Sequence, residues 1–158
     1  GSFSSCMESL KKKKFDVAIK EFTKKQGKLL GICVGMQVLM DYGLENKKMK
    51  GLGLVKGFVK KMNYSNRFPL PHIGWNELIK IPKKFLLFEK VKIKSTFYFL
   101  HSFSAKIKEK KLKIVYAKYG KNLVVAAFQK NNLFGVQFHP EKSQDVGMQL
   151  IKNFANLK

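Results

Sequence analysis

Apolar positions along this chain switch between two periods, and the first switch falls in its most informative stretch. Ser5-Cys6-Met7-Glu8 reads as a capping box, so a helix is expected to begin there. Asp16 is placed to cap a second helical segment that carries Ile19 and Phe22 on one face, with Gly27 as its left-handed stop. The run Lys28–Cys33 then reads as a buried strand, and Val34–Leu39 returns to helical spacing. The unit is helix, strand, tight elbow, helix. After Gly43 a glycine-rich segment, Lys50-Gly51-Leu52-Gly53-Leu54, leads into alternation through Phe58 and Val59, a strand that should stop before Asn63-Tyr64-Ser65-Asn66. Further strands are expected at Thr96–His101, Leu112–Tyr119, Leu123–Gln129 and Leu133–Phe138. Gly120-Lys121-Asn122 and Lys130-Asn131-Asn132 supply hairpin turns between them. A last helix, Asp145–Leu157, carries Val146, Leu150, Ile151 and Phe154 at helical spacing.

An early strand feeding a helix, followed by hairpins and a closing helix, predicts a three-layer α/β sandwich on a mixed sheet. With 158 residues and 45% hydrophobic content the chain suits one core, hence a single domain over residues 1–158. Nothing before Lys28 offers the strand Lys28–Cys33 a neighbour.

Charge changes this picture little. The formal net charge of +22 suggests an anionic partner and motivates one alternative function, a noncatalytic basic module that binds polyanions. The lysines, however, are scattered between apolar positions and Arg67 is the sole arginine, whereas nucleic-acid readers concentrate arginine. A solvated lysine surface is the favoured explanation, with no nucleic acid bound. Two cysteines, Cys6 and Cys33, imply no disulfide framework and suit a reducing cytoplasm. No apolar stretch is long enough to cross a bilayer, so no membrane association is expected.

The candidate chemistry lies in two short motifs. Gly31-Ile32-Cys33-Val34-Gly35 puts a thiol where a strand turns into a helix, a position that exposes the side chain and lowers a thiol pKa. His139-Pro140-Glu141 follows an apolar strand, with a proline that ends pairing and a carboxylate able to turn back on the imidazole. Each has a plainer explanation: Cys33 as a small core residue, and His139 as a histidine packed at a strand end. Together they supply a nucleophile, a base and an orienting acid, provided that the sulfur of Cys33 lies within bonding reach of the His139 ring. The backbone NH of Val34 is the oxyanion donor that such an elbow provides. Gln37 is either a substrate ligand or an ordinary helix glutamine, and Glu45 either a solvated loop residue or the partner of a substrate ammonium. His72, His101, His139, Cys6 and Cys33 are dispersed, without CxxC or HxxxH spacing, so no metal is expected.

Gly31-Ile32-Cys33-Val34-Gly35-Met36-Gln37, with Phe134-Gly135-Val136-Gln137-Phe138-His139-Pro140-Glu141-Lys142-Ser143, closely resembles the class I, triad-type glutamine amidotransferases. Within them, Pro71-His72-Ile73-Gly74-Trp75-Asn76 and Phe97-Tyr98-Phe99-Leu100-His101-Ser102-Phe103 look like the glutaminase subunits of imidazole glycerol phosphate synthases. The resemblance implies a mixed, mainly parallel central sheet, and hydrolysis of glutamine to glutamate and ammonia without a cofactor. It implies Cys33 as nucleophile, His139 as base and then acid, and Glu141 as its orienter, with Gly35, Gln37, Glu45, Ser102 and Phe103 lining the glutamine site. Trp75, Asn76 and Lys142 would face a (β/α)8-barrel cyclase partner, which receives ammonia for histidine biosynthesis. Closely similar subunits feed sugar amidotransferases of surface-polysaccharide pathways, and the motifs do not separate the two clients. Phe103 departs from the usual tyrosine. Members of the family begin with strands and a Pro-Gly-x-Gly oxyanion segment, whose end Gly1-Ser2-Phe3 resembles, so the chain is expected to be truncated at its N-terminus. Loss of one such oxyanion donor costs roughly 10²- to 10³-fold in rate in other enzymes.

Overall fold

A computed structural model describes residues 1–92 and 94–157. Two helices open the chain, α1 over Phe3–Lys12 and α2 over Phe15–Lys24. The cap of α1 is Ser2 and not Ser5: the Ser2 hydroxyl accepts from the Ser5 NH at 3.1 Å, so the helix starts ahead of the expected box. Asp16 sits inside the first turn of α2, where its charge complements the helix dipole, and the cap position belongs to Lys14 in a left-handed conformation. The left-handed stop is Gln26 (φ 61°), one residue before the expected glycine. Gln26 NH donates to Thr23 O at 3.1 Å and Gly27 NH to Phe22 O at 2.9 Å, the paired bonds of a Schellman ending. Gly27 is needed for space, because a Cβ there would meet the Phe22 ring at 2.4 Å.

Strand β1 (Leu29–Ile32) enters the elbow, and α3 (Val34–Gln37) follows. This helix is shorter than its hydrophobic period suggests. The Val38 carbonyl takes the Leu52 NH at 2.8 Å and the Leu39 carbonyl takes those of Leu54 and Val55 at 2.9 and 3.1 Å, so the glycine-rich segment claims acceptors that a longer helix would use. Met40–Gly43 becomes β2 instead, followed by β3 (Met49–Lys50), β4 (Val55–Lys61) and β5 (His72–Glu77). After a 3₁₀ turn at Leu86–Phe88 come β6 (Thr96–His101), β7 (Phe103–Ile107), β8 (Lys113–Tyr119), β9 (Asn122–Lys130) and β10 (Leu133–Val136). A second 3₁₀ turn, Pro140–Lys142, leads into α4 (Gln144–Ala155).

The strands form two four-stranded sheets, β1-β10-β9-β8 and β3-β2-β4-β7, and a two-stranded ribbon, β5-β6. The architecture is mixed α/β. The expectation of a mainly parallel sheet is corrected: β1–β10 and β2–β4 are parallel, and the other strand pairs among the described residues are antiparallel. Short turns such as Gly120–Lys121 and Asn131–Asn132 cannot make the crossover that parallel strands need. Strand β1 does find a neighbour, β10 from the far end of the chain.

Both faces of the first sheet are covered. Phe134, Val136 and Ala126 pack with Leu150 of α4 and with Leu87 and Phe88. On the other face Leu133, Phe128 and Val125 pack with Phe3 and Met7 of α1, Met36 of α3, and Val55, Val59 and Ala105 of the second sheet. At the centre Gly31 and Gly135 lie side by side in the β1–β10 register. A Cβ on Gly31 would stand 2.6 Å from the Gly35 carbonyl oxygen, and one on Gly135 2.7 Å from Met36 Cγ. The two glycines form the flat seat on which α3 rests.

Gly31→Ala therefore forces α3 off its seat and is expected to lower stability by about 1–3 kcal/mol, as overpacking does. Gly35→Ala, whose Cβ would meet nothing within 4 Å, should stay within about 0.5 kcal/mol of the parent. Urea-denaturation midpoints of the two variants test the difference.

Candidate active site

Cys33 sits between β1 and α3 with φ 52° and ψ −113°, a strained backbone for a residue with a Cβ. It is held there from both sides. Its NH donates to Val136 O at 2.8 Å, extending the β1–β10 ladder, and its carbonyl accepts from Met36 and Gln37 NH at 3.1 and 3.2 Å, starting α3. The turn delivers the side chain into a cleft of about 520 Å³. Val34, Gln37, Glu45, His139 and Glu141 line the same cleft, as does the stretch Leu100–Phe103. Gly35, Trp75, Asn76 and Lys142 are not among its lining residues.

His139 leaves the end of the β10 segment, and Pro140 opens the 3₁₀ turn that swings Glu141 back. Nδ1 of His139 lies 2.7 Å from Glu141 Oε1. A carboxylate accepts, so Nδ1 carries a proton and Nε2 is the ring nitrogen left for the chemistry of the cleft. The His139 main chain is fixed by β6: its NH donates to Tyr98 O at 2.8 Å. The fully buried Ser143 hydroxyl donates to His139 O at 2.7 Å and accepts from Tyr98 NH at 3.0 Å. Sequence reasoning gives Ser143 no role, although a serine closing a His-Pro-Glu turn has the side chain to clamp it.

The thiol and imidazole share the cleft, but no hydrogen bond joins them among the described residues. The Cys33 thiol instead donates toward Leu100 O at 3.9 Å and accepts from Gln137 Nε2 at 3.7 Å. Burial pushes the thiol pKa up, against the opposing pull of the Val34 NH, and the Glu141 charge adds to the rise, so the resting group is a thiol. This reverses the lowered value expected from the elbow position alone. Gln37 is buried, and its amide donates to Phe103 O and to Gln137 Oε1, both at 2.9 Å. Gln137 is fully buried, and the sequence motifs assign it no part in the site. A signal for it exists, since an amide inside the apolar run Phe134–Phe138 must have a buried partner. Glu45 Oε2 accepts from Phe3 NH at 2.7 Å, tying the cleft to the start of α1.

Beside the cleft lies a second polar group, in the ribbon. His72 and His101 face each other in the β5–β6 register, with His72 Nδ1 3.1 Å from His101 Nε2. Asn76 Nδ2 reaches His72 Nε2 at 3.3 Å and donates to Lys118 O at 3.0 Å. His101 Nδ1 lies 2.9 Å from Phe103 O. Burial lowers both imidazole pKa values, to about 4 for His72 and about 3 for His101. The opposite face of the ribbon is open: Ile73, Trp75 and Leu100 are exposed, Trp75 pairs with Tyr98, and Lys142 Nζ stands 5.8 Å from the Tyr98 ring.

Comparison with known proteins agrees with this geometry. The family model described as glutamine amidotransferase class-I matches residues 8–157. The chain is 46% identical over 160 residues to the imidazole glycerol phosphate synthase subunit HisH of Pelagibacter ubique, covering 99% of this chain and 76% of that protein. It is 44% identical over 158 residues to the subunit HisH 1 of Campylobacter jejuni, covering 99% and 77%. The chain thus spans about three quarters of the length of these relatives. Among solved structures, a glutamine amidotransferase superposes with a TM-score of 0.67 at 12% identity, over 98% of this chain and 76% of that one. Another glutamine amidotransferase, from Thermotoga maritima, does so with a TM-score of 0.59 at 18% identity, over 91% and 54%. At such identities these structures speak for the fold.

The buried imidazoles set a pH dependence. The unfolded chain takes up protons near pH 6.5 while folded His72 and His101 stay neutral until about pH 4 and 3, so stability falls as pH drops from about 6.5 toward 4. Each ring contributes up to about 1.4 kcal/mol per pH unit in that window. Urea denaturation across this range should show the loss, and His72→Phe should reduce the slope by about half, leaving the His101 contribution.

Proposed function

The chain belongs to the class I glutamine amidotransferase family, and on that premise we propose that it is the glutaminase subunit of an imidazole glycerol phosphate synthase. It hydrolyses glutamine and passes ammonia to a (β/α)8-barrel cyclase for histidine biosynthesis. The observation that carries the reading is the cleft that holds a strained-elbow cysteine together with a His–Glu pair at 2.7 Å. Residues 1–158 act as one glutaminase domain in the cytoplasm, a location that two free cysteines fit. Among the described residues no helix is long and apolar enough to cross a membrane.

In this mechanism the Cys33 thiol turns from Leu100 O toward His139 Nε2 and gives it the proton. The sulfur then bonds to the side-chain carbonyl carbon of glutamine, and the Val34 NH meets the oxyanion. His139 returns the proton to the leaving nitrogen, the C–N bond breaks, and ammonia departs from a thioester. A water molecule, deprotonated by His139, attacks the thioester; the S–C bond breaks and glutamate leaves as the thiol is reprotonated. Glu141 holds the imidazole in the required tautomer and offsets the imidazolium charge. Glu45 pairs with the substrate ammonium, while Gln37, Ser102 and Phe103 shape the glutamine site, and Gly35, which does not line the cleft, bears on it only from within α3. Trp75 and Lys142 form the partner-facing edge, supported by the exposed apolar row on the ribbon, whereas Asn76, expected on the same edge, turns its side chain to the inner face, where it meets His72 and Lys118 O.

A diazoketone analogue of glutamine should label Cys33 and leave Cys6 unmodified, as read by peptide mass mapping, and Cys33→Ala should abolish labelling and turnover. Labelling that ignores Cys33, or strongly salt-dependent retention on polyanions without glutaminase turnover, would overturn the reading. Turnover stimulated by a sugar-modifying synthetase and not by a barrel cyclase would replace the histidine assignment alone.

A further inference from the structure

We propose that the buried pair His72 and His101 is a positioning device that ties the placement of the β5–β6 ribbon to the orientation of the Cys33 thiol. The inference rests on Cys33 being the nucleophile. One unbroken series of hydrogen bonds runs from the ribbon to the sulfur. Asn76 contacts His72 at 3.3 Å, His72 contacts His101 at 3.1 Å, and His101 contacts Phe103 O at 2.9 Å. The same carbonyl accepts from Gln37 at 2.9 Å, Gln37 donates to Gln137 at 2.9 Å, and Gln137 donates to Cys33 Sγ at 3.7 Å.

Only one arrangement of protons satisfies the series. A carbonyl cannot donate, so His101 holds its proton on Nδ1 and offers a lone pair at Nε2. His72 must then donate from Nδ1 and accept at Nε2, where the Asn76 amide donates, its other hydrogen going to Lys118 O. Both rings are neutral in this arrangement, in keeping with their burial at 2% and 7% exposure. His72 is further held by stacking on Tyr119 and Phe99, with ring centroids 4.0 and 4.8 Å apart. Every donor from Asn76 to His101 points toward Phe103 O, so a reversal at Asn76 propagates as far as that carbonyl, and beyond it the tie is positional, through the Gln37 amide that donates to the same oxygen. His72 does not itself line the cleft.

The test uses the full chain and the rate at which the diazoketone analogue labels Cys33. Asn76→Asp replaces the donor facing His72 by an acceptor that demands a proton at Nε2, and His72→Phe keeps the stack while cutting the series. Each should lower the maximal labelling rate on the order of tenfold, as a small misplacement of a reacting group does, while the half-saturating concentration moves less than about twofold. His101→Asn, whose amide can still donate to Phe103 O, should recover part of the rate lost in His101→Phe. In nitrogen NMR of the unaltered chain at neutral pH, both rings should be neutral and protonated at Nδ1. An Nε2-protonated ring, a ring titrating in the ordinary imidazole range, or full labelling rates in folded Asn76→Asp and His72→Phe would each overturn the proposal. If the unaltered chain itself leaves Cys33 unlabelled, the assignment of the nucleophile fails, and the proposal fails with it.

Discussion

Everything at the cleft depends on the parallel pairing of β1 with β10. The ladder runs Leu29↔Leu133, Leu30↔Phe134, Gly31↔Gly135 and Ile32↔Val136, and the Cys33 NH adds one further bond to Val136 O. Residues separated by most of the chain thereby become neighbours at one sheet end, where the carboxyl ends of parallel strands open a crevice. A slip of one residue would turn Cys33 into the core and move Gly31 from beneath α3. Burial on both faces penalises any such slip, since Leu30, Ile32, Phe134 and Val136 must meet the cluster around Leu150 and Leu29 and Leu133 the one around Met36.

The ribbon is the second constraint, because it touches both halves of the chemistry. Through Tyr98 it holds the His139 main chain directly and by way of Ser143, and through His101 it reaches Phe103, Gln37, Gln137 and the sulfur. No buried side-chain nitrogen or oxygen among the described residues lacks a partner, so this polar interior costs little while it stays complete. Removing one member strands its neighbour in a low-dielectric setting.

Some of this is legible in the sequence, and the rest is concealed for identifiable reasons. Strand β6 has the limits that its alternation predicts, and the elbow and the His-Pro-Glu turn follow from glycine and proline chemistry, which acts locally. The link between α3 and β2 reads instead as the continuation of α3, because Val38 and Leu39 keep a helical period and only the distant Leu52–Val55 segment captures their carbonyls. Strand β5 escapes the pattern altogether. It mixes His72, Gly74 and Asn76 with exposed Ile73 and Trp75, inverting the usual rule that apolar residues face inward. That inversion belongs to a strand whose inner face is a polar network and whose outer face is apolar. Gln137 and the two ribbon histidines do not show as a group in the sequence because their contacts cross three separate elements.

The resting chemistry of Cys33 connects these constraints. Burial holds the thiol protonated, and its hydrogen points to Leu100 O rather than to His139. Leu100 belongs to β6, where its side chain lies exposed beside Ile73 on the outer apolar row while its carbonyl lines the cleft. One residue therefore contributes to the open face of the ribbon with its side chain and to the nucleophile with its backbone. The Gln137 amide meets the same sulfur from the opposite end of the buried series. The thiol is thus set by two contacts that both lead back to the ribbon, one through the Leu100 main chain and one through His101.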